Sequence, residues 1–185
     1  MREQLAHLLG RYEPANAEER AALHLMQELV ESLEHPFSRS QPEAHFTGSA
    51  LVVDPTVERT CLVHHRAFDR WLQPGGHVDQ SDGDRIEQTA LREAEEETGC
   101  EVELHPDADR PFDLDVHEID ERGSVPAHLH LDIRFLVVAD DPDSASHRSD
   151  ESHPLEWLTL DEAEERCEEE SIARMIEKAR RYTEA

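Results

Sequence analysis

Lysine is almost absent from this sequence of 185 residues: Lys178 is the only one, and the other 17 of the 18 Lys and Arg residues are arginines. The 44 acidic residues outnumber the basic ones, so the formal net charge is −26. A surface this negative repels DNA, RNA and anionic membranes. We therefore expect neither a nucleic acid nor a membrane as a partner, and an anionic substrate needs cations supplied at its own site.

Two explanations for this acidic excess stay open. It is typical of proteins adapted to high salt, where dissolved ions screen the repulsion between surface charges. A genome whose base composition favours arginine would produce the same shortage of lysine without any salt adaptation. The melting temperature measured against salt concentration separates the two explanations.

Cysteine and long hydrophobic runs are scarce too. Cys61, Cys100 and Cys167 are the only cysteines and lie far apart, which excludes a disulfide framework and a Cys-x-x-Cys metal pair. No apolar stretch is long enough to cross a membrane, and the first residues lack the apolar segment of a secretion signal. Shorter apolar runs such as residues 135–138 survive, so we expect a folded protein of the cytoplasm.

The hydrophobic pattern changes from helix-like to strand-like and back along the chain. Spacings of three and four residues predict helices, and short apolar or alternating runs predict strands. The main predicted elements are helices over residues 1–35, 84–98 and 161–182, the last with a break near residue 170, and strands over 112–119 and 128–138, followed by a polar loop over 140–153. This order predicts an α/β or α+β fold in which helices pack on a mixed sheet.

The central predicted helix carries several carboxylates on one side. At about 100° per residue, Glu93, Glu96 and Glu97 share an arc of roughly 100°, while Glu95 points away. Glu93 and Glu97 lie in the sector of Ile86, which we expect to be partly buried. Carboxylates on such a face need a neutralising partner, and oxygen ligands at this density suit Mg²⁺ or Mn²⁺.

A solvated acidic face is the competing interpretation, and it has weight in a chain this rich in Asp and Glu. Three neighbouring features favour the metal site. A Pro-Gly-Gly turn at residues 74–76 precedes the helix, Arg92 stands beside Glu93, and Gly99 closes the helix.

The segment from Arg92 to Cys100, R-E-A-E-E-E-T-G-C, resembles the second half of the Nudix box, R-E-U-x-E-E-x-G-U, in which U is apolar. All the fixed letters match. The first half of the pattern has a glycine, five residues and a glutamate. Here we align Gly76 and Asp84, with seven residues between them, and we interpret residues 80–82 as a two-residue loop enlargement. The likeness extends over residues 46–160.

The resemblance implies a Nudix-like α/β/α sandwich with a mixed sheet. Residues 1–40 would form an N-terminal helical extension, either a cap or a homodimer contact, and residues 41–185 the hydrolase domain. The implied reaction is hydrolysis of the diphosphate linkage in a nucleoside diphosphate joined to a group X, with Mg²⁺ or Mn²⁺ as the cofactor.

The resemblance also implies roles for individual residues. By their position in the motif, we expect the metal ligands to be Glu93, Glu96, Glu97 and the backbone carbonyl of Gly76. Arg92 would orient the glutamates, because charge-assisted hydrogen bonds can fix a carboxylate rotamer. Asp84 is the remaining catalytic candidate, in an auxiliary role.

A second polar feature is the alternating segment over residues 128–135. His128, His130, Asp132 and Arg134 fall on one face of the predicted strand. We interpret this face as substrate-binding through Arg134, His130 and His128, with an ordinary solvated strand face as the alternative. A zinc site at the two histidines is disfavoured, because no cysteine or third histidine has tight spacing to them.

Two further functions stay open: a Nudix-like domain that binds a nucleotide without cleaving it, as a sensor or regulator, and a Nudix hydrolase of nucleoside triphosphates. The intact set of Arg92, Glu93, Glu96 and Glu97 argues against the first. The negative field of the protein opposes each added substrate charge, which argues against the second. We therefore favour ADP-ribose or a nucleotide sugar as the substrate.

Overall fold

The computed structural model describes residues 1–66, 68–83, 85–108, 110–142 and 154–183. Asp84 and most of the predicted polar loop, residues 143–153, lie outside the described residues. The helices are α1 (Arg2–Gly10), α2 (Ala17–Ser32), α3 (Ile86–Thr98), α4 (Leu160–Arg166) and α5 (Glu170–Ala179). The strands are β1 (Ala44–Val53), β2 (Arg59–His65), β3 (Arg70–Leu72), β4 (Gly75–His77), β5 (Val102–Leu104), β6 (Asp113–Ile119), β7 (His128–Ala139) and β8 (Leu155–Thr159).

The sheet is built around β1, whose ten residues are all buried. It pairs in parallel with β7 along its whole length, from Ala44 opposite Leu129 to Val53 opposite Val138. The described strands follow the order β3-β2-β1-β7-β5, with β4 paired to β1, β6 to β7 and β8 to β2 in antiparallel register. Parallel strands buried on both faces need helices on both faces, and the predicted mixed sheet is confirmed.

Two apolar clusters occupy the opposite faces of this sheet. One joins α1, α2 and α3 to alternate residues of β1 and β7, such as Phe46 and Ile133. The other joins α4 and α5 to the intervening residues of β1 and β7, such as Leu51 and Leu136. The fold is therefore the predicted α/β/α sandwich, and the N-terminal helices share the core of the layer that contains α3. Among the described residues, no helix is long and apolar enough to span a membrane.

The only lysine of the chain ties the N-terminal helices to the C-terminal one. Lys178 on α5 donates to the Asp113 carboxylate at 2.8 Å and forms an ion pair with Glu19 on α2. Glu19 is fully buried and also accepts from the Tyr12 hydroxyl at 2.7 Å. Burial alone would raise the pKa of Glu19, but hydrogen bonds, led by the one from Lys178, hold it below its ordinary value. The charge of Lys178 is therefore offset by two carboxylates.

The element boundaries differ from the sequence prediction mainly at turns. The predicted C-terminal helix is two helices, and the break falls at residues 167–169, close to the predicted position. Residues 75–77 form strand β4 rather than a loop, because they pair with β1. That pairing brings the Pro-Gly-Gly segment alongside α3.

Candidate active site

Helix α3 lies directly against β1 at a glycine. A Cβ on Gly48 would stand 2.9 Å from the Thr89 Cβ and 3.1 Å from the Ala90 backbone nitrogen, so a larger residue would push the helix off the sheet. Gly99 ends the helix with φ at 71°, a left-handed conformation that favours glycine. Gly48 and Gly99 thus fix the position of α3 and of the glutamates near its end.

Strand β4 approaches the carboxylates of α3. A Cβ on Gly76 would lie 2.5 Å from the carboxyl carbon of Glu93, so a side chain here would force the Glu93 carboxylate to move. The Gly75 amide donates to the Glu97 carboxylate at 3.3 Å. The structure therefore brings together Gly76, Glu93 and Glu97, three of the expected metal ligands.

Arg92 holds several groups of this site at once. Its Nη1 donates to Glu93 at 2.9 Å and to Glu96 at 3.1 Å, and its Nη2 donates to the His77 carbonyl at 2.8 Å. Its Nε donates to Asp82 at 2.7 Å. The hydrogen bond to Asp82, above all, raises the pKa of Arg92 above its ordinary value. A permanently charged fork that bonds two glutamates is the geometry that the expected orienting role requires.

Asp82 is a site residue that the sequence prediction missed. Its side chain is buried and accepts from both Arg92 and the Thr89 hydroxyl, the latter at 2.9 Å. Burial by itself would raise the pKa of Asp82, but the hydrogen bonds, led by that from Arg92, hold it below its ordinary value. Five residues separate Asp82 from Gly76, which is the spacing of the first half of the motif. The sequence prediction chose Asp84 because of its distance to Arg92. The distance from Gly76 identifies Asp82 instead.

The carboxylates of α3 differ in exposure. The side chain of Glu93 is 13% exposed and that of Glu96 is 57% exposed. Burial raises the pKa of Glu93, and Arg92 only partly opposes that shift. A half-buried carboxylate that one shared arginine does not fully compensate is stabilised by a further cation. Carboxylate oxygens beside a backbone carbonyl fit Mg²⁺ or Mn²⁺. We call Glu93, Glu96 and Glu97, together with Arg92, the acidic site.

A cavity of about 460 Å³ opens beside the acidic site and is bordered by Glu97, Gly75 and Gly76. Another part of its lining, here called the histidine wall, consists of five imidazoles from four strands: His45, His77, His117, His128 and His130. Strand pairing produces this group, since His45 lies opposite His130 across β1 and β7, and His117 lies opposite His130 across β6 and β7. The expected substrate residues His128 and His130 therefore do lie in the cavity.

Three members of the histidine wall, His45, His77 and His130, are neutral at physiological pH. Burial, reinforced by neighbouring histidines, lowers the pKa of His45 and of His77 to about 4 and that of His130 to about 2. Neutral imidazoles offer one N–H donor and one lone pair each. These three residues consequently supply hydrogen bonds to the cavity rather than the positive charge expected of the strand face.

Arg134 has a different environment from the one expected. Its side chain is 3% exposed, its Nε donates to Asp132 at 2.8 Å and its Nη2 to Asp115 at 3.1 Å. Asp113 lies 3.6 Å from it. Three carboxylates already offset this charge, and Arg134 is absent from the described lining of the cavity. The alternating pattern identified the correct face, but it gave no sign that neighbouring strands bury the arginine among aspartates.

Comparisons with known proteins agree with this geometry. A family model described as the NUDIX domain matches residues 45–179. A NUDIX-family hydrolase from Clostridium perfringens is 21% identical, with a TM-score of 0.54 over 73% of this chain and 95% of that one. The NUDIX domain of Shewanella oneidensis NrtR, complexed with ADP ribose, is 17% identical, with a TM-score of 0.50 over 83% and 96%.

A third similar structure is the E. coli dihydroneopterin triphosphate pyrophosphohydrolase, at 17% identity and a TM-score of 0.50, over 72% of this chain and 92% of that one. No curated protein sequence matches the chain significantly. Identities this low establish a shared fold, and the match of the family model extends over most of the chain.

Proposed function

Because this chain belongs to the NUDIX family of pyrophosphohydrolases, we propose that it hydrolyses a nucleoside diphosphate linked to a hydroxyl-rich group X, such as ADP-ribose or a nucleotide sugar. The observation that carries the proposal is that one cavity is bordered both by Glu97 of the acidic site and by the histidine wall. The Glu97 carboxylate, with its neighbours on α3, suits a cation that faces phosphates. The neutral imidazoles of His45, His77 and His130 offer donors and acceptors for hydroxyl groups.

The acidic site supports the hydrolytic half of this proposal. Nudix enzymes generally use divalent metal ions, and Glu93, Glu96, Glu97 and the Gly76 carbonyl are the groups that would hold Mg²⁺ or Mn²⁺ here. Such a cation offsets the charge of a diphosphate and makes water a better nucleophile. The part of Arg92 is to keep Glu93 and Glu96 in fixed rotamers, and Asp82 in turn holds Arg92.

The charges around the cavity support a diphosphate over a triphosphate. The arginines that border it are Arg39 and Arg122, while Arg92 and Arg134 are already bonded to carboxylates. Since the net charge is −26, the field of the protein opposes each further negative charge on the substrate. A neutral sugar adds no charge and can use the N–H and lone-pair groups of the histidine wall.

The size and rim of the cavity agree with a nucleotide-like ligand. Its volume of about 460 Å³ falls within the range of small-molecule sites, roughly 300 to 1,000 Å³. Phe68 borders the cavity and is 41% exposed, and Arg122 stands 4.8 Å from its ring. An exposed aromatic ring at the rim is suited to stacking a base.

A substrate panel tests the proposal. We expect kcat/KM to be highest for ADP-ribose or a nucleotide sugar, compared with dinucleoside polyphosphates and nucleoside triphosphates, and activity to vanish with EDTA. A triphosphate preferred by tenfold or more, about 1.4 kcal/mol in transition-state binding, would contradict the substrate class. Tight binding of ADP-ribose without turnover in either Mg²⁺ or Mn²⁺ would instead favour a nucleotide sensor.

A further inference from the structure

Three imidazoles of the histidine wall form a compact group of potential metal ligands. One ring nitrogen from each of His45, His128 and His130 lies within 4.8 Å of the others. The ring of His45 stacks on that of His128 with centroids 4.9 Å apart, and its distance to the His130 ring is 4.8 Å. The parallel pairing of β1 with β7 supplies the third histidine that the local sequence lacks.

The hydrogen bonds of these rings leave nitrogens available to a ligand. His128 Nδ1 lies 2.9 Å from the Pro126 carbonyl, and a carbonyl only accepts, so Nδ1 carries a proton and Nε2 is the nitrogen that can offer a lone pair. A backbone carbonyl that fixes the other ring nitrogen is the usual orienting partner of a metal-binding histidine.

His45 gives a second and independent indication. It is 1% exposed, and neither of its ring nitrogens makes a hydrogen bond of normal geometry to a described residue, although the Gln41 backbone lies close enough to oppose the lowering of its pKa. Buried polar groups in folded proteins are nearly always partnered. A ligand that accepts the lone pair of one nitrogen would complete this environment.

The chemistry of the group selects the ligand. Imidazole nitrogen suits zinc, cobalt and nickel, whereas Mg²⁺ and Ca²⁺ prefer oxygen. Zinc–nitrogen bonds of about 2.1 Å place the nitrogens of a tetrahedral site about 3.4 Å apart. The observed separations are at most 4.8 Å, so side-chain rotations that bring the nitrogens closer are required for metal binding.

We propose that His45, His128 and His130 bind a divalent cation of the zinc class, with a remaining coordination position open to the cavity. Three imidazoles and one open position are the arrangement of a catalytic rather than a structural zinc site. The site is separate from the oxygen ligands of the acidic site, although both border the same cavity. It does not depend on the substrate proposed above.

Cobalt titration of the metal-free full-length protein tests this site, because Co²⁺ bound by nitrogen ligands absorbs visible light. We expect stoichiometric binding of Co²⁺ at micromolar concentration, displacement by Zn²⁺, and no displacement by excess Mg²⁺. The variants His45→Gln and His128→Gln should each weaken Co²⁺ binding by tenfold or more. Two controls, His24→Gln at an exposed position of α2 and Glu97→Gln in the acidic site, should leave it unchanged.

Several results would overturn the site. They are absence of the visible band in the wild-type protein, unchanged affinity in a folded His128→Gln variant, or an equal loss in Glu97→Gln. Circular dichroism establishes which variants are folded. If His45→Gln does not fold, His130→Gln replaces it, and the wild-type titration by itself already decides whether the cation binds. Because the measurement uses metal alone, an inactive protein would still report on this site.

Discussion

The acidic site and the histidine wall border one cavity, yet they hold their polar groups in different ways. The acidic site is local: Glu93, Glu96 and Glu97 come from adjacent turns of one helix, and Arg92 on the same helix bonds Glu93 and Glu96. The histidine wall is assembled from four strands, and its members meet only through strand pairing. In the first, the charge of Arg92 partly offsets the effect of burial on Glu93. In the second, burial lowers the pKa of His45, His77 and His130 and keeps these imidazoles neutral.

The difference assigns separate chemical tasks to the two regions. Charged carboxylates attract a hard cation and, through it, phosphate oxygens. Neutral imidazoles bind hydroxyl groups or a softer cation without adding charge. His77 connects the two, since its carbonyl accepts from Arg92 while its ring lies 5.0 Å from that of His45. Each of the following predictions tests one side of this comparison.

The largest expected effect concerns the acidic site. Glu93→Gln and Glu97→Gln preserve shape but remove the charge that holds the metal, so each should lower kcat by on the order of a hundredfold or more at saturating Mg²⁺. Glu95→Gln is the matched control, because Glu95 is exposed on the same helix and points away. Near wild-type turnover in both Glu93→Gln and Glu97→Gln would contradict the assignment of these residues as metal ligands.

The second prediction separates Asp82 from Asp84. Asp82→Asn removes the charge that anchors Arg92, so we expect about tenfold lower kcat/KM and a loss of roughly 1 to 3 kcal/mol in the free energy of unfolding. Asp84→Asn should affect the rate much less than Glu93→Gln or Glu97→Gln, because a carboxylate near a predicted helix start can simply cap the helix N-terminus. Steady-state kinetics and urea unfolding measure both variants. The ranking fails if Asp84→Asn, with stability unchanged, costs as much rate as Glu97→Gln.

The third prediction concerns the charge network beneath the histidine wall. Hydrogen bonding from His117 and the charges of His117, Arg134 and Arg174 outweigh burial and lower the pKa of Asp115 to about 2. A carboxyl with a lowered folded pKa stabilises the protein above its unfolded pKa, near 4, and this contribution disappears as the pH falls toward the folded value. Asp115→Asn should therefore cost about 2 kcal/mol at pH 7.

The same stability difference should shrink between pH 4 and pH 2, which urea unfolding of the two proteins at several pH values can follow. Asp120→Asn is the control, since Asp120 is an exposed aspartate that follows the same strand. A stability difference between wild type and Asp115→Asn that stays constant down to pH 2 would contradict the lowered pKa.

The smallest expected effect, for each charge involved, is that of surface carboxylates on the stability of the fold. With 44 acidic residues, repulsion between exposed carboxylates should destabilise the fold at low ionic strength, and salt should relieve it. We expect the melting temperature to rise from low to molar KCl. A flat or falling curve would favour the explanation from base composition over adaptation to high salt.

The sequence by itself determined the elements whose signals are local. Helical spacing placed Glu93, Glu96 and Glu97 on one side of α3, and Gly99 marked its end, because a helix repeats every few residues and its cap is a single glycine. The motif from Arg92 to Cys100 identified the family, and alternation placed His128 and His130 on one face of β7. These inferences needed no knowledge of which strands are neighbours.

Tertiary structure decided what depends on strand neighbours. The parallel register of β1 and β7 brought His45 to His128 and His130, and the pairing of β6 with β7 surrounded Arg134 with aspartates. The fold of the turn after β4 selected Asp82 as the partner of Arg92. Pairing between distant segments leaves no periodic trace in either segment, so a local pattern can assign a side chain to a face but cannot tell what that face will meet.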